Sequence, residues 1–326
     1  MELSYCIVNT NGRDYLLECL ESIRETHPAG VEHEIVVLNN AVDDGSLKAV
    51  RERFPQVRLF TRDDRAGASE NNSFVLREAR GRFCMLLDED AVLLEGCMEA
   101  LLNAVRSDPR TAVAGAQLFY PDGRGIGCAW RMPGIGTALA EALFLTRWLA
   151  VQTSKTTREA GWVQSAAMLV RRDAAEQVGF YDESFFLYYD EVDLQKKLHD
   201  AGWRVLHVPD ARAIHNQQIS TDRAVGARRV VELHRMHDKY LRKHHSATVA
   251  MVVRPLVAWK YARRAAIARV IPGREVGDFW LNAKQALRPH RGEGMHERAV
   301  EFNEERGAQV GPRSVQEPVS EAAGST

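Results

Sequence analysis

The chain has 326 residues, 45% of them hydrophobic, with 43 Lys and Arg against 44 Asp and Glu. That length and apolar content suffice for a buried core and exclude a mostly disordered chain. The formal net charge of −1 excludes a uniformly basic nucleic-acid binder, although a sum conceals local asymmetry.

In chain order, Ser4–Val8 reads as a strand, and Leu16, Leu17, Leu20 and Ile23 fall at helical spacing before Pro28. Glu34–Leu38 is a second strand, Gly45–Phe54 a short helix, Val57–Phe60 a third strand and Ser69–Ala79 a helix. Phe83–Leu87, the helix Glu95–Arg106 and the strand Ala112–Leu118 complete the first half. Such alternation predicts a three-layer α/β sheet with parallel strands, whose ligands bind at the strands' carboxyl ends. Three polar clusters fall at those ends: Asn9-Thr10-Asn11, Asn39-Asn40 and Asp88-Glu89-Asp90.

The middle is less regular. Tyr120–Gly136 is rich in Gly and Pro and reads as a loop, followed by an apolar patch, Ala138–Ala150, and a polar stretch, Gln152–Gly161. A second α/β unit follows, with the strand Val163–Val170, a short helix near Asp173–Val178, the helix Asp190–Ala201 and the strand Arg204–Val208. Helical patterns recur in Arg228–Lys243 and Val249–Ile271, with Pro255 expected to start or kink the second. From Arg288 the composition predicts a disordered tail. The expected organisation is a catalytic body over 1–222, a basic helical extension over 223–287 and a tail over 288–326.

Asp88 and Asp90, two carboxylates at i and i+2 past a buried strand, can aim at one point and suit Mg²⁺ or Mn²⁺. Taken alone, the same residues describe a solvated acidic turn. Asp190, Glu191 and Asp193 open a helix beside aromatic residues. They fit either helix capping or a general base in a shielded pocket. His215 stands in a polar stretch with Asn216, Gln217, Gln218 and Ser220, where an isolated histidine is more often structural than functional. Arg65 and the loop through Gly67 run into a helix whose N-terminus can hold an anion, or is simply capped. No Walker loop and no G-x-G-x-x-G follows the first strand.

Taken in order, these segments resemble the family 2 glycosyltransferases, particularly their bacterial rhamnosyltransferase-like branch, over roughly residues 3–220. Cys6–Gly12 resembles the opening strand and turn, and Val36–Ser46 the V-D-N-x-S-x-D-G-S motif. Gly67–Asn72 is similar to a G-x-x-x-x-N helix start, and Leu87-Asp88-Glu89-Asp90 to the D-x-D motif. The most specific series runs from Ser165–Arg172 through Val178–Phe186 and Asp190-Glu191-Val192-Asp193 to Ala201-Gly202-Trp203, Val208-Pro209 and His215.

The resemblance implies a GT-A fold and inverting transfer from a nucleotide-diphosphate sugar. It implies Mg²⁺ or Mn²⁺ held by Asp90 and His215, with Asp88 on the ribose or on metal-bound water. It implies Glu191, or its neighbour Asp190, as catalytic base, because the family's Glu-Asp order is Asp-Glu here. Asn9, Asn11, Asn39, Arg65, Gly67, Asn72, Asp88 and Glu89 would contact the nucleotide sugar. The family's base- or ribose-binding aspartate is Asn39 in this chain, whose amide both donates and accepts. A dTDP-rhamnose donor is the first expectation, with UDP-sugars next, and the acceptor a polysaccharide or lipid-linked glycan. The Asp-Glu order and Asn39 leave open a second reading, a catalytically silent sugar-nucleotide-binding or scaffold subunit.

Between Arg223 and Ile271 there are 12 Lys and Arg against 2 Asp and Glu, interleaved with aliphatics and Trp259. Such a segment suits an anionic membrane surface, or a helical pair packed on the catalytic body with a solvated basic face. It lacks the aromatic stacking platform of a nucleic-acid binder. Five scattered cysteines (Cys6, Cys19, Cys84, Cys97, Cys128) form no C-x-x-C pair and suit reduced thiols. Neither a signal-peptide pattern nor an 18-residue apolar span is legible. The expected place is the cytoplasm, peripheral to the inner membrane face.

Overall fold

A computed structural model describes residues 1–10, 12–145, 155–216, 223–269 and 276–315. Asn11, Gln217, Gln218, Ser220, Ile271 and the end of the Ala138–Ala150 patch lie outside the described residues.

The first half alternates as expected: β1 (Leu3–Asn9), α1 (Arg13–Thr26), β2 (His33–Asn40), α2 (Ser46–Arg53), β3 (Arg58–Arg62), α3 (Ala68–Glu78) and β4 (Phe83–Asp88). A short β5 (Ala91–Leu93), α4 (Cys97–Ser107) and β6 (Thr111–Phe119) follow. Two-residue periodicity decides which helices cover which face. Leu3, Tyr5 and Ile7 of β1 join Phe83, Met85 and Leu87 of β4 in a core with α1, α2 and α4. Cys6, Cys84 and Leu86 point to the other face.

The middle contributes β7 (Ala129–Trp130), α5 (Ile135–Ala142), β8 (Arg158–Glu159), β9 (Trp162–Val163), β10 (Ala167–Arg171), α6 (Arg172–Gln177), α7 (Asp190–Asp200) and β11 (Arg204–His215). Helices α3, α6 and α7 pack on the second face, which makes the three layers. The sheet order is β12-β3-β2-β1-β4-β10-β6-β11-β5, with β12 (Pro312–Ser314) from the chain's far end. Strands β1 to β4 are mutually parallel, while β10 enters antiparallel between β4 and β6.

Two expected strands are corrected. Val163–Val170 is broken into β9, which pairs with β7, and β10 in the main sheet. Arg204–Val208 does not stop at Pro209. Its register against β6 shifts between Val208 and Arg212, so a bulge absorbs the residue without an N–H and the strand runs on to His215.

Beyond it lie α8 (Arg223–His244), α9 (Ala247–Ala268), α10 (Gly277–Leu287) and α11 (Met295–Arg306). Ser246, whose side chain accepts from Val249 N, starts α9, and Pro255 lies inside that helix. The carbonyl deprived of a donor belongs to Met251, which is exposed, so water can satisfy it. Tyr240, Leu241, Val253 and Val257 bury against Phe185 and Val192, so these helices pack on the α/β body.

Their basic side chains are largely paired within the chain. Asp238 takes Arg242, Arg254 and His290, Lys243 bridges Asp182 and Asp193, and Lys260 meets Glu141. The disordered tail expected over 288–326 is corrected as far as residue 315, and 316–326 lie outside the described residues. Arg235 pairs with Glu297 of α11, and β12 adds antiparallel to the open edge of β3.

Candidate active site

Parallel pairing brings the polar clusters together: Asn9 is opposite Asn39, and Val8 opposite Asp88. Asn9 Nδ2 donates to Asn39 Oδ1 at 2.8 Å, and Asn39 Nδ2 to the Val42 carbonyl at 2.8 Å. Asn9 Oδ1 accepts from Gly12 N at 3.2 Å. Both amides are buried and fix the turns after β1 and β2. Thr10 N donates to Glu89 Oε1 at 3.1 Å, which ties the first turn to the end of β4. Burial and the charge of Asp88 push the Glu89 carboxyl up to about 7.

Asp88 closes β4, Asp90 precedes β5, and His215 closes β11. The β5–β11 pairing sets His215 opposite Ala91 and beside the acidic turn. His215 Nε2 lies 3.2 Å from Asp90 Oδ1 and 3.5 Å from Asp88 Oδ2. Asn216 N donates to the Asp90 carbonyl at 3.0 Å and braces the turn. Asp90 and His215 are buried, whereas Asp88 is partly open.

One ligand atom from each of the three lies within 4.8 Å of the others. Two carboxylate oxygens and an imidazole nitrogen at this spacing fit a hard divalent cation such as Mg²⁺ or Mn²⁺. Withdrawal from bulk water pushes the Asp88 carboxyl up to about 6 against the pull of His215. Burial opposes a charged His215, but the hydrogen bond with Asp90 and the charges of Asp88 and Asp90 prevail and raise its pKa.

Asp190 and Glu191 begin α7 after two left-handed residues, Tyr188 (φ 70°) and Tyr189 (φ 61°). Such backbone costs about 1–3 kcal/mol per non-glycine residue and persists only where packing imposes it. Tyr189 stacks on His237 of α8, ring centroids 4.9 Å apart and planes 17° from parallel. Asp190 is buried, and Glu191 lines a cavity. Burial raises both carboxyls. The charge of Asp190, their shared hydrogen bond and the charge of Asp88 lift Glu191 well above the usual glutamate range. Glu191 therefore lies in the same electrostatic field as the Asp88 cluster.

The remaining candidates are placed elsewhere. Arg65 turns to α11: its backbone N donates to Asn303 Oδ1 at 2.6 Å, and its guanidinium sits 4.2 Å from the Phe302 ring centre. Gly67 is a packing residue, since a Cβ there would lie 2.5 Å from the Phe186 carbonyl oxygen. That carbonyl accepts from Ala68 N at 2.7 Å, so the start of α3 is bonded to the segment leading into α7. Asn72 is half-buried in the second turn of α3.

Sequence reasoning missed Asn40, which clamps Ala66 through N–H···Oδ1 at 3.0 Å and Nδ2–H···O at 3.2 Å. It missed Arg62, fully buried against Asp64, Glu70 and Asn71. It also missed Trp130 and Trp162, stacked at 4.3 Å. Asn40 was legible as half of the Asn39-Asn40 cluster; a buried arginine and two distant tryptophans carry no local spacing signal.

The sequence model for Glycosyl transferase family 2 matches residues 4–178, ending before Glu191 and His215. The chain is 29% identical over 209 residues to the N-acetylglucosaminyl-diphospho-decaprenol L-rhamnosyltransferase of Mycobacterium tuberculosis, covering 58% of this chain and 68% of that protein. It is 22% identical over 227 residues to the rhamnosyltransferase WbbL of Escherichia coli, covering 65% and 82%. Among solved structures, the mannosyltransferase PcManGT of Pyrobaculum calidifontis, in complex with GDP-Man and Mn²⁺, superposes with a TM-score of 0.58 at 15% identity, over 94% of this chain and 86% of that one. With the family model matching more than half its length and the GT-A architecture of its structural neighbours, this chain belongs to the family 2 glycosyltransferases.

Proposed function

We propose that the chain catalyses inverting transfer of a hexose, rhamnose first among the candidates, from a nucleotide-diphosphate donor to a lipid-linked glycan. The observation that carries this reading is the convergence of Asp88, Asp90 and His215 at the strand ends, with Glu191 feeling the charge of Asp88. Glu191 Oε takes the proton of an acceptor hydroxyl as its oxygen bonds the anomeric carbon. The bond from that carbon to the diphosphate breaks, and the nucleoside diphosphate leaves from the opposite face. Asp88, Asp90 and His215 would hold Mg²⁺ or Mn²⁺, which when bound supplies charge neutralisation of the diphosphate. Asn9, Asn39 and Glu89 shape the donor end of the cleft. The rhamnosyltransferase relative, named for an N-acetylglucosaminyl-diphospho-decaprenol acceptor, supports a polyprenyl-linked acceptor and a rhamnosyl donor.

The test is a panel of dTDP-rhamnose, UDP-sugars and GDP-mannose with Mn²⁺ or Mg²⁺ and a short-chain N-acetylglucosaminyl-diphospho-prenol. Turnover by the wild type that is lost in Glu191→Gln is expected. Equal, background-level turnover by both would replace the enzyme reading with that of a silent binding or scaffold subunit.

No described helix is long and apolar enough to cross a membrane. For peripheral attachment to an anionic membrane face we favour the outer side of α5 and α9, since the basic side chains are largely paired internally. Leu139, Leu143, Phe144, Met251 and Trp259 are all exposed there, and Arg263 lies over the Phe144 ring. Apolar anchors flanked by arginine suit the headgroup boundary. Flotation with anionic vesicles should fall sharply in a Leu139→Asp/Trp259→Asp variant; a wild type that does not float ends this proposal.

A further inference from the structure

A cavity of about 330 Å³ opens beside Glu191. None of Asp88, Asp90, His215, Asn9 or Asn39 is among its described lining residues. One wall comes from the α/β body, through Trp130, Trp162 and Glu191. The other comes from α8 and α9, through His237, Lys260 and Tyr261, which lie outside the segment matched by the family model.

We infer that this cavity is the acceptor sugar subsite, with the stacked pair Trp130 and Trp162 as its platform and the C-terminal helices as its selective wall. The inference rests on the transferase reading above and adds the acceptor's chemical class: a pyranose unit whose apolar C–H face lies on an aromatic ring.

Five observations support it. The tryptophan rings are 4.3 Å apart and 28° from parallel, and each is only part-buried, so the pair has a face left for a ligand. Tyr189 of the body stacks on His237 of α8 at 4.9 Å, a second aromatic pair in the lining. A pyranose ring has an apolar face and a polar rim, and such walls match both, because aromatic residues present an apolar surface beside polar atoms. The rim has partners in Thr137 and in the Lys260–Glu141 pair, 2.8 Å apart, whose opposite charges leave it able to donate and to accept without net charge. Glu191 on the floor then stands beside an acceptor hydroxyl while the donor approaches from the Asp88 side, as a displacement with opposite entering and leaving faces requires. Burial lowers the pKa of His237 to about 3 and of His234 to about 4, so both histidines of the helical wall are neutral at neutral pH.

The experiment uses the full chain, the nucleotide sugar found by the donor panel, and N-acetylglucosaminyl-diphospho-farnesol as acceptor probe. Trp162→Ala and, separately, Trp130→Ala should raise the acceptor KM about tenfold, the size of one lost stacking contact. The donor KM and the slow hydrolysis of donor without acceptor should stay unchanged, and Trp162→Phe should keep a near-wild-type acceptor KM. An unchanged acceptor KM in both alanine variants, or an equal rise in donor KM, overturns the inference. A wild type inactive toward every donor would defeat the transferase reading instead. In that event tryptophan quenching by the probe decides: saturable quenching lost in Trp162→Ala supports the platform, and no quenching removes it.

Discussion

Individual side chains set the chemistry, and their surroundings assign the roles. Asp190 and Glu191 are chemically near-equivalent neighbours, yet Asp190 is enclosed while Glu191 opens on the cavity. Replacing the carboxylate by an amide removes the base and little volume, so Glu191→Gln should lower kcat by about 10²–10⁴-fold with donor KM nearly constant. Steady-state kinetics on the donor panel reads both quantities. The wild type is expected to gain melting temperature on Mn²⁺ addition, and Asp90→Ala or His215→Ala should abolish that gain, because two remaining donors make a poor site for a hard cation. Gly67 tests a structural role: Gly67→Ala drives a methyl into the Phe186 carbonyl and should cost about 1–3 kcal/mol in denaturant titrations.

At the scale of elements, the basic helices are held by a buried acid. Asp238 on α8 accepts from Arg242 one turn on, Arg254 of α9 and His290 after α10. Burial alone would raise its pKa, but these partners outweigh it and hold the carboxyl at about 2, below the ordinary 3.8. A depressed pKa means stability that is complete above pH 3.8 and lost as pH falls from there toward 2. Asp238→Asn should remove that acid-sensitive component and, by taking the shared anion from the partly exposed Arg242, Arg254 and His290, cost about 1 kcal/mol at neutral pH. Thermal melts at pH 3 and pH 7 give both numbers. The left-handed Tyr188 and Tyr189 are a further property of packed elements, since their conformation is held where α7 meets α8.

For the molecule as a whole, the near-zero net charge is a cancellation between an acidic body and a basic helical extension, and the structure shows how the two meet. Lys243 reaches Asp182 and Asp193 at 2.6 and 2.7 Å, and Phe185 and Val192 of the body are buried under α8 and α9. A chain ending at residue 222 would expose that apolar face. It should aggregate or bind a hydrophobic dye, as size-exclusion chromatography and dye fluorescence would show. The full chain is expected to be monodisperse under the same conditions.

Local order was legible from the sequence where spacing carries it. The short, mostly apolar runs Ser4–Val8 and Phe83–Leu87 mark strands of a sheet covered on both faces, and the polar residues ending each strand mark the ligand edge, because parallel strands all end on one side. Asp88 and Asp90 were nameable for the same reason, and Glu191 through the family resemblance of the segment that opens α7. Contacts between distant segments were not. That His215 sits at a strand end depends on a bulge after Val208, and the turn of Arg65 toward α11 depends on a tail whose composition reads as disordered. The tryptophan pair depends on β7 meeting β9, although some thirty residues of sequence separate them. The sequence by itself determined the elements and the chemical groups at the sheet's ligand edge. Only the tertiary structure decided which groups face a cavity and which face each other, because burial and pairing between remote segments set both pKa and access.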